Sequence, residues 1–195
     1  MNNDRKIPVI IKETSSGFVT SRIQDEMFRK REIECIGEIT EEMVNSLIMQ
    51  LWYLKKEKPG EKITMYVNSP GGEVSSGLAL YDVMKAVKCP IRTVCLGMAA
   101  SMAAVLFLSG DQREILPHAK VMIHDPRLQQ ISGSALAVDR VSKNLMKTRE
   151  IIGNIIAEHT GRTLEEVYEH TATDTYFDAK ESIAWGLADK ILTEI

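Results

Sequence analysis

The longest apolar stretch of the chain is Val94–Leu108, VCLGMAASMAAVLFL, and the fold class follows from it. Its 15 residues are too few for a membrane-spanning helix, which needs about 20 apolar residues. Gly97 and Ser101 interrupt the stretch. We therefore predict a buried strand over Ile91–Leu96 that leads into a buried helix over Ala99–Leu108.

Strand and helix signals alternate on both sides of this stretch. Short apolar runs bounded by turn residues indicate strands, and apolar residues at i, i+3 and i+4 indicate helices. The predicted strands are Glu32–Ile36, Lys62–Asn68, Glu114–Leu116 and Val121–His124, and the predicted helices are Glu41–Lys56, capped by Thr40, and Ser75–Val87. This alternation predicts βαβ units with right-handed crossovers, and therefore an α/β fold with a mainly parallel sheet.

The last third of the chain begins with one long helical pattern, Ser134–Thr160, which Gly161 ends. At ~1.5 Å per residue such a helix reaches roughly 40 Å, about the width of a small domain. Its apolar stripe then needs a partner, so we expect the helix to project from the body and to mediate self-association. The alternative is that it lies across the sheet. Two capping boxes are predicted after it, at Thr163 with Glu166 and at Asp178 with Glu181. Leu187–Leu192, beyond Gly186, is predicted to be a final strand or an extended segment.

The composition is that of one globular domain, residues 1–195. Hydrophobic residues make up 44% of the chain and charged residues 26%, as in ordinary globular proteins. The 24 basic and 27 acidic residues leave a net charge of −3, which argues against a nucleic-acid partner. The apolar segment Ile7–Ile11 is too short for the core of a signal peptide. We therefore expect a cytoplasmic protein that does not interact with membranes.

Three cysteines, Cys35, Cys89 and Cys95, form no CxxC pair. This pattern is typical of reduced, buried thiols in a cytosolic protein. No Cys/His cluster has the spacing of zinc ligands, so no metal site is predicted.

Two glycine-bearing segments lie where a predicted strand passes into a predicted helix. They are SPGG at Ser69–Gly72 and GMAASM at Gly97–Met102. Backbone N–H groups at such a junction lack partners within the helix and favour a negative charge. Ser101, with small residues on both sides, is therefore a candidate nucleophile beside an oxyanion hole. The alternative is a structural serine, since small residues are common at helix starts.

A nucleophilic serine needs a base, and the chain has four histidines, at positions 118, 124, 159 and 170. His124 is favoured, because it closes a predicted strand of an α/β sheet, where ligands usually bind. A purely structural role for His124 stays open. The base in turn needs an orienting carboxylate, and spacing does not choose among Asp125, Asp139, Asp174 and Asp178.

Five segments resemble the proteolytic subunit of the Clp protease, a serine peptidase. They are NSPGG, GMAASM, VMIHDP, IIAEHTGRTLEEV and TDTYFDAKESIAWGLAD, and the resemblance runs from about Pro8 to the C-terminus. It implies a crotonase-like fold of repeated β-β-α units. It also implies an N-terminal axial segment over about residues 1–20, and a handle loop and projecting handle helix over about residues 125–160.

The resemblance also implies the site. Ser101 would be the nucleophile, His124 the general base and acid, and Asp174 the orienting carboxylate. The backbone N–H groups of Gly72 and Met102 would form the oxyanion hole. No metal or cofactor is implied for this chain, which has no GxxxxGK[ST] motif; ATP would be used by a partner.

The assembly that the family forms is a barrel of two stacked heptameric rings, a tetradecamer. An AAA+ unfoldase feeds unfolded polypeptides into it. The resemblance therefore implies a serine endopeptidase subunit of an ATP-dependent protease complex, with a Ser-His-Asp acyl-enzyme mechanism.

The chain departs from the family pattern at several positions. Asp125 stands where a glutamine-like residue is customary, and the handle loop has only Gly133 where a glycine pair is usual. Thr64 and Ala86 stand where aromatics usually line the unfoldase-docking pocket, although Tyr66 remains; Glu73 replaces a small or apolar residue. One alternative is therefore a divergent ring subunit, weakly active alone, that scaffolds or regulates a second Clp peptidase isoform. A further alternative is a crotonase-type enzyme acting on an acyl-CoA thioester, which uses a similar pair of N–H groups for an oxyanion. The Ser/His/Asp set argues against it, because such an enzyme would not need Ser101.

Overall fold

The computed structural model describes residues 8–128 and 132–194. Residues 1–7 of the expected axial segment, and residues 129–131 of the expected handle loop, lie outside the described residues.

Nine strands and seven helices make up the described chain. The strands are β1 (Val9–Thr14), β2 (Gly17–Arg22), β3 (Glu32–Ile36), β4 (Ile63–Ser69), β5 (Ile91–Ala100), β6 (Gln112–Ile115), β7 (Lys120–Ile123), β8 (Thr175–Phe177) and β9 (Lys190–Ile191). The helices are α1 (Ile23–Arg29), α2 (Glu41–Glu57), α3 (Val74–Ala86), α4 (Met102–Leu108), α5 (Ala135–Thr160), α6 (Leu164–Thr171) and α7 (Ala179–Trp185). None of these helices is both long and apolar enough to cross a membrane.

A seven-stranded, mostly parallel sheet forms the centre of the molecule. Its main path has the order β3-β4-β5-β6-β9, with all neighbours parallel. Strand β7 pairs with β5 in parallel and with the short strand β8 in antiparallel fashion. The predicted α/β fold with a mainly parallel sheet is confirmed.

The central strand β5 changes its partner along its length, and this corrects the sequence prediction. Residues 92–95 pair with β6, whereas residues 98–100 pair with β7. The predicted strand end at Leu96 and helix start at Ala99 were therefore wrong: the strand continues to Ala100, and α4 begins at Met102. The physical reason is that β7 supplies hydrogen-bonding partners to the backbone of residues 98–100 and so keeps them extended.

Helix α4 lies wholly in the core, and each of its seven residues is buried. Gly77 of α3 lets it approach closely, because a Cβ at position 77 would lie 2.2 Å from the Cγ of Met102. The three cysteines are also buried and unpaired with one another, as predicted. The core therefore holds the start of α4 rigidly in place, since its packing leaves little room for movement.

The predicted helix caps are confirmed. The hydroxyl of Thr40 accepts a hydrogen bond from the backbone N–H of Met43 at the start of α2. Both predicted capping boxes, at the starts of α6 and α7, have their two reciprocal hydrogen bonds. Within Leu187–Leu192, predicted to be a final strand or an extended segment, the structure has a strand of two residues, Lys190–Ile191.

The long helix α5 is buried at only one end. Ser134 caps its start, and Gly161 ends it in the left-handed conformation with φ of 70°. Ile152, Ile155 and Ile156 are buried, whereas residues 135–144 are exposed. This exposure favours a helix that projects from the body over one that lies across the sheet.

The positions expected to take part in unfoldase docking lie on or near the sheet. Tyr66 is buried in a small cluster with Val94 and Leu192, and Thr64 beside it on β4 is also buried. Ala86 is exposed at the end of α3.

Candidate active site

Ser101 occupies the tight junction between β5 and α4. Its backbone has φ of 55° and ψ of −123°, a conformation that L-residues with a Cβ rarely adopt and that costs about 1–3 kcal/mol. The backbone N–H of Ser101 donates a hydrogen bond of 2.8 Å to the carbonyl of Met122 on β7. The pairing of β5 with β7 therefore holds the junction in this conformation and turns the hydroxyl toward the end of β7.

His124 lies beside Ser101 because the two parallel strands end together. Ala100 pairs with Met122, so the residues that follow them emerge at the same edge of the sheet. The imidazole Nε2 of His124 lies 2.7 Å from the Oγ of Ser101. In the tautomer that has its proton on Nδ1, the serine hydroxyl donates this hydrogen bond to Nε2.

Asp174 reaches His124 through the antiparallel pairing of β7 with β8. Ile123 pairs with Thr175, so His124 and Asp174 stand opposite each other at the end of this ladder. The Oδ1 of Asp174 lies 3.4 Å from the Nδ1 of His124. Nδ1 is shielded from solvent and makes no hydrogen bond with the described residues, so Asp174 is close to the imidazole without a formed hydrogen bond. The same Oδ1 accepts a hydrogen bond from the guanidinium of Arg127.

The other candidate carboxylates have different partners. Asp139 forms an ion pair with Lys143 one turn along α5, and Asp178 caps α7. Asp125, next to His124, accepts hydrogen bonds of 2.7 Å from Arg149 and from Thr171. Among the four aspartates that the sequence left open, Asp174 is the one that the structure brings to the imidazole.

The other three histidines lie away from the serine. His118 is exposed in the loop before β7. The Nε2 of His159 lies 3.3 Å from the hydroxyl of Tyr81, and His170 packs against Phe177 and Trp185.

The environment of His124 favours its neutral form. Burial of the ring lowers its pKa below the ordinary value of 6.5, and the nearby positive charge of Arg127 lowers the pKa further. The carboxylates of Asp174 and Asp125 act in the opposite direction, and the net shift is downward. An imidazole with a lowered pKa is unprotonated at neutral pH and can accept a proton.

The SPGG turn packs directly against the serine. A Cβ at Gly71, whose φ is 96°, would lie 2.7 Å from the Cβ of Ser101 and 3.2 Å from the backbone N of Met102. Gly72 packs against the backbone of Ile39. The N–H of Gly71 donates to the hydroxyl of Ser69.

The two backbone amides predicted as oxyanion donors are those of Gly72 and Met102. The N–H groups of Gly72 and Met102 donate to none of the described residues. The structure therefore places one of these two amides next to Ser101 in the chain and the other in the turn that packs against it.

A narrow, mostly apolar pocket adjoins Ser101 and His124. Its other lining residues come from α3, α4, α5 and the segment around the end of β7; they are Val74, Met102, Val105, Ile123, Pro126, Ile152 and Ile156. Its volume is about 10 Å³, which is room for a single water molecule and not for a side chain.

Three neighbours of the site were not singled out from the sequence. Gly71 was visible within the SPGG motif, and its closeness to Ser101 depends on how the turn packs. Arg127 and Arg149 carried no usable signal, since a lone arginine in a loop or on a helix is ordinary.

Within residues 8–128 and 132–194, no group of three or more His, Cys, Asp or Glu residues could hold a metal ion.

The comparison with known protein families agrees with the fold. A family model described as Clp protease matches residues 15–195. The mostly parallel sheet with its surrounding helices is consistent with the crotonase-like fold that the resemblance implied. Because the match spans nearly the whole chain, the chain belongs to the Clp protease family, and membership implies a peptidase.

Proposed function

We propose that this chain is a serine endopeptidase subunit, with Ser101 as nucleophile, His124 as general base and acid, and Asp174 as the orienting carboxylate. The observation that carries the proposal is the 2.7 Å contact between the Nε2 of His124 and the Oγ of Ser101. A base within hydrogen-bond reach of a serine hydroxyl is the arrangement that acyl transfer requires.

The first half of the reaction forms an acyl-enzyme. As the Oγ of Ser101 attacks a peptide carbonyl, its proton passes to the Nε2 of His124. The tetrahedral intermediate collapses, the C–N bond breaks, and His124 gives the same proton to the leaving amine. In the second half, water attacks the ester carbonyl while His124 takes its proton. The bond between the carbonyl carbon and the Oγ then breaks, His124 returns the proton to the Oγ of Ser101, and the acid product leaves.

The backbone amides of Gly72 and Met102 are proposed to hold the oxyanion of each tetrahedral intermediate. Their N–H groups donate to no other described residue, so they can donate to the developing charge. One such donor typically lowers the barrier by about 3 kcal/mol. Asp174 would stabilise the imidazolium that forms on His124 and select its tautomer.

The substrates that we propose are unfolded polypeptides. Family membership supports this substrate class, and the residues beside the nucleophile are apolar apart from Ser101 and His124 themselves. The steps above use only groups of this chain and water, so they call for no metal or organic cofactor.

The assembly is part of the proposal. Family membership suggests a Clp-type oligomeric complex, and we propose heptameric rings stacked as a tetradecamer around the sites. An AAA+ unfoldase would dock on the rings, hydrolyse ATP and deliver the unfolded substrate.

A fluorophosphonate probe tests the proposal, because it reacts with activated serines. We expect one adduct, on Ser101, and loss of both the adduct and peptide hydrolysis in Ser101→Ala. Hydrolysis of peptides by Ser101→Ala at the rate of the unsubstituted protein would overturn the mechanism. Turnover of an acyl-CoA thioester that survives the same substitution would favour the crotonase-type alternative instead.

A second candidate function is a ring subunit, weakly active alone, that scaffolds or regulates another Clp peptidase isoform. It is supported by the Nδ1 of His124, which lacks a hydrogen bond. It is also supported by Thr64 and Ala86, which stand where the family usually has aromatic residues that line the unfoldase-docking pocket. Peptidase activity of the purified chain alone, equal to that of a mixture with a typical isoform, would reject this candidate.

A further inference from the structure

Arg127 and His124 contact the same carboxylate oxygen. The guanidinium of Arg127 donates a hydrogen bond to the Oδ1 of Asp174. That oxygen is also the one that lies 3.4 Å from the Nδ1 of His124. Nδ1 is shielded from solvent and makes no hydrogen bond with the described residues, whereas the side chain of Arg127 is 58% exposed.

A guanidinium is a strong competitor for a carboxylate. A charge-assisted N–H···O bond is roughly twice as strong as one from a neutral donor such as the Nδ1–H of an imidazole. While Oδ1 is turned toward Arg127, the imidazole lacks the hydrogen bond that would orient it. The positive charge of Arg127 also opposes the positive charge that His124 gains when it takes the proton of Ser101.

The other charged groups around His124 do not replace the missing bond. Asp125, the neighbouring residue, has its two carboxylate oxygens occupied by Arg149 and Thr171. The carboxylates of Asp174 and Asp125 raise the pKa of His124, and the positive charge of Arg127 lowers it. Asp174 is the carboxylate within reach of Nδ1, so the state of the Arg127–Asp174 pair decides whether the imidazole is oriented.

We propose that Arg127 is a positioning residue that holds the Asp174 carboxylate away from the Nδ1 of His124 and so restrains acyl transfer at Ser101. This inference rests on the proposed function of Ser101, His124 and Asp174. It assigns to Arg127 a role opposite to that of an ordinary structural salt bridge: its removal speeds the reaction.

The experiment compares the rates at which a fluorophosphonate labels Ser101 in Arg127→Gln, Arg127→Lys and the unsubstituted chain. Rates are measured across pH 5–9 on fractions of equal particle size. Arg127→Gln is expected to raise the plateau rate about two- to tenfold, the range that one recovered hydrogen bond supplies. It should also move the low-pH limb of the rate profile to higher pH, because the imidazolium is stabilised. Arg127→Lys keeps the charge and should leave the limb nearer its original position.

A double-mutant cycle shows whether the effect passes through Asp174. In an Asp174→Asn background there is no carboxylate for Arg127 to hold, so Arg127→Gln should lose the part of the rate increase that comes from the recovered hydrogen bond and keep only the smaller direct effect of its charge on His124. The matched control is Arg140→Gln, an exposed arginine on α5, which should leave the rate and the limb unchanged.

The outcomes separate the two proposals. A plateau rate in Arg127→Gln that is equal to or below that of the unsubstituted chain overturns the positioning role. So does the same rate increase in the Asp174→Asn background. Failure of the proposed function has a different signature, the absence of any Ser101 adduct in the unsubstituted chain and in all variants.

Discussion

At the scale of single residues, the backbone at Ser101 is the feature on which the site depends. A serine with φ of 55° is strained, and it persists only where its surroundings hold it. Here the N–H of Ser101 is bonded to β7, while Gly71 leaves room for its Cβ. The glycine of the turn and the strained serine therefore depend on each other.

Gly71→Ala tests this dependence. An added Cβ would lie 2.7 Å from both the Cβ of Ser101 and the carbonyl oxygen of Ala100, so the serine junction must shift. A displacement of about 1 Å at a reacting group can lower a rate about a hundredfold. We expect the rate of fluorophosphonate labelling at Ser101 to fall by that order.

Gly60→Ala is the matched control, because Gly60 also has a positive φ, of 79°, but a Cβ there meets nothing within 4 Å. It should lose about 1 kcal/mol of stability from backbone strain and keep the labelling rate. Equal labelling rates in the two variants would contradict the account of the junction.

The pH dependence of labelling follows from the environment of His124. The imidazole must be neutral to accept the proton of Ser101, and burial followed by the charge of Arg127 lowers its pKa below 6.5. As pH falls, the rate should therefore drop with a midpoint below pH 6.5. Labelling reactions at pH 5 to 8 are stopped at set times and quantified by intact mass, which gives the midpoint of the fall in rate at low pH. A midpoint above pH 6.5 would contradict the assignment of His124 as the base.

At the scale of elements, Asp125 joins three parts of the chain beside the site. Its backbone N–H and its carboxylate both bond to Thr171 at the end of α6. The carboxylate also bonds to Arg149 of α5, and the guanidinium of Arg149 lies over the ring of Tyr168, 3.6 Å from its centroid. The residue after His124 thus ties β7 to the buried end of the handle helix.

Asp125→Ala should therefore loosen this junction. The Asp125 and Arg149 side chains are partly buried, so we expect a loss of about 1–2 kcal/mol in the free energy of unfolding. Urea denaturation at equal protein concentrations measures it. Asp139→Ala, which removes an exposed ion pair with Lys143 on the same helix, is the control and should change stability little. Equal losses in the two variants would show that the Asp125 contacts do not stabilise the junction.

Much of the fold was accessible from the sequence, because local signals and tertiary packing agree. Strand β3 has the predicted bounds, and the Thr40 cap begins α2 as expected. The end of β5 was not accessible, because Ala99 and Ala100 favour helix by propensity while pairing with β7 keeps them extended. The exposed hairpin of β1 and β2 also gave no alternating pattern, since nearly all of its residues are exposed.

Part of the candidate site could be predicted from the sequence. Ser101 was a candidate because it lies where a predicted strand passes into a predicted helix, and His124 because it closes a predicted strand. Asp174 did not follow from spacing, because its position depends on β8, an antiparallel strand of three residues that is too short for a periodic signal. The resemblance to the Clp protease family supplied it, and the 3.4 Å contact agrees with that placement. The partners of Asp174 and Asp125 depend on tertiary packing that the sequence does not reveal.

At the scale of the whole molecule, the exposed part of the handle helix needs a partner. Val138 and Val141 are exposed on one face of α5, and Leu145 continues this stripe toward the buried end. Apolar residues at this spacing on a projecting helix are typical of an interface between subunits. The stripe could form such an interface in the Clp-type oligomeric complex that family membership suggests.

The double substitution Val138→Glu/Val141→Glu should reduce self-association, because it places charges in the middle of the stripe. We expect smaller particles in sedimentation velocity than for the unsubstituted chain. Lys147→Glu alters charge on the far side of the same helix and should leave particle size unchanged. Unchanged size in the double variant would exclude the stripe as a subunit interface.

The most direct test of the central claim, that His124 activates Ser101, is fluorophosphonate labelling of the assembled protein with and without the imidazole. The adduct is located by peptide mass spectrometry, and particle size is checked on the same samples. The account predicts one adduct, on Ser101, in the unsubstituted chain, and none in His124→Ala over the same time. Labelling of Ser101 at the same rate in His124→Ala, or no labelling of Ser101 in either protein, would contradict it.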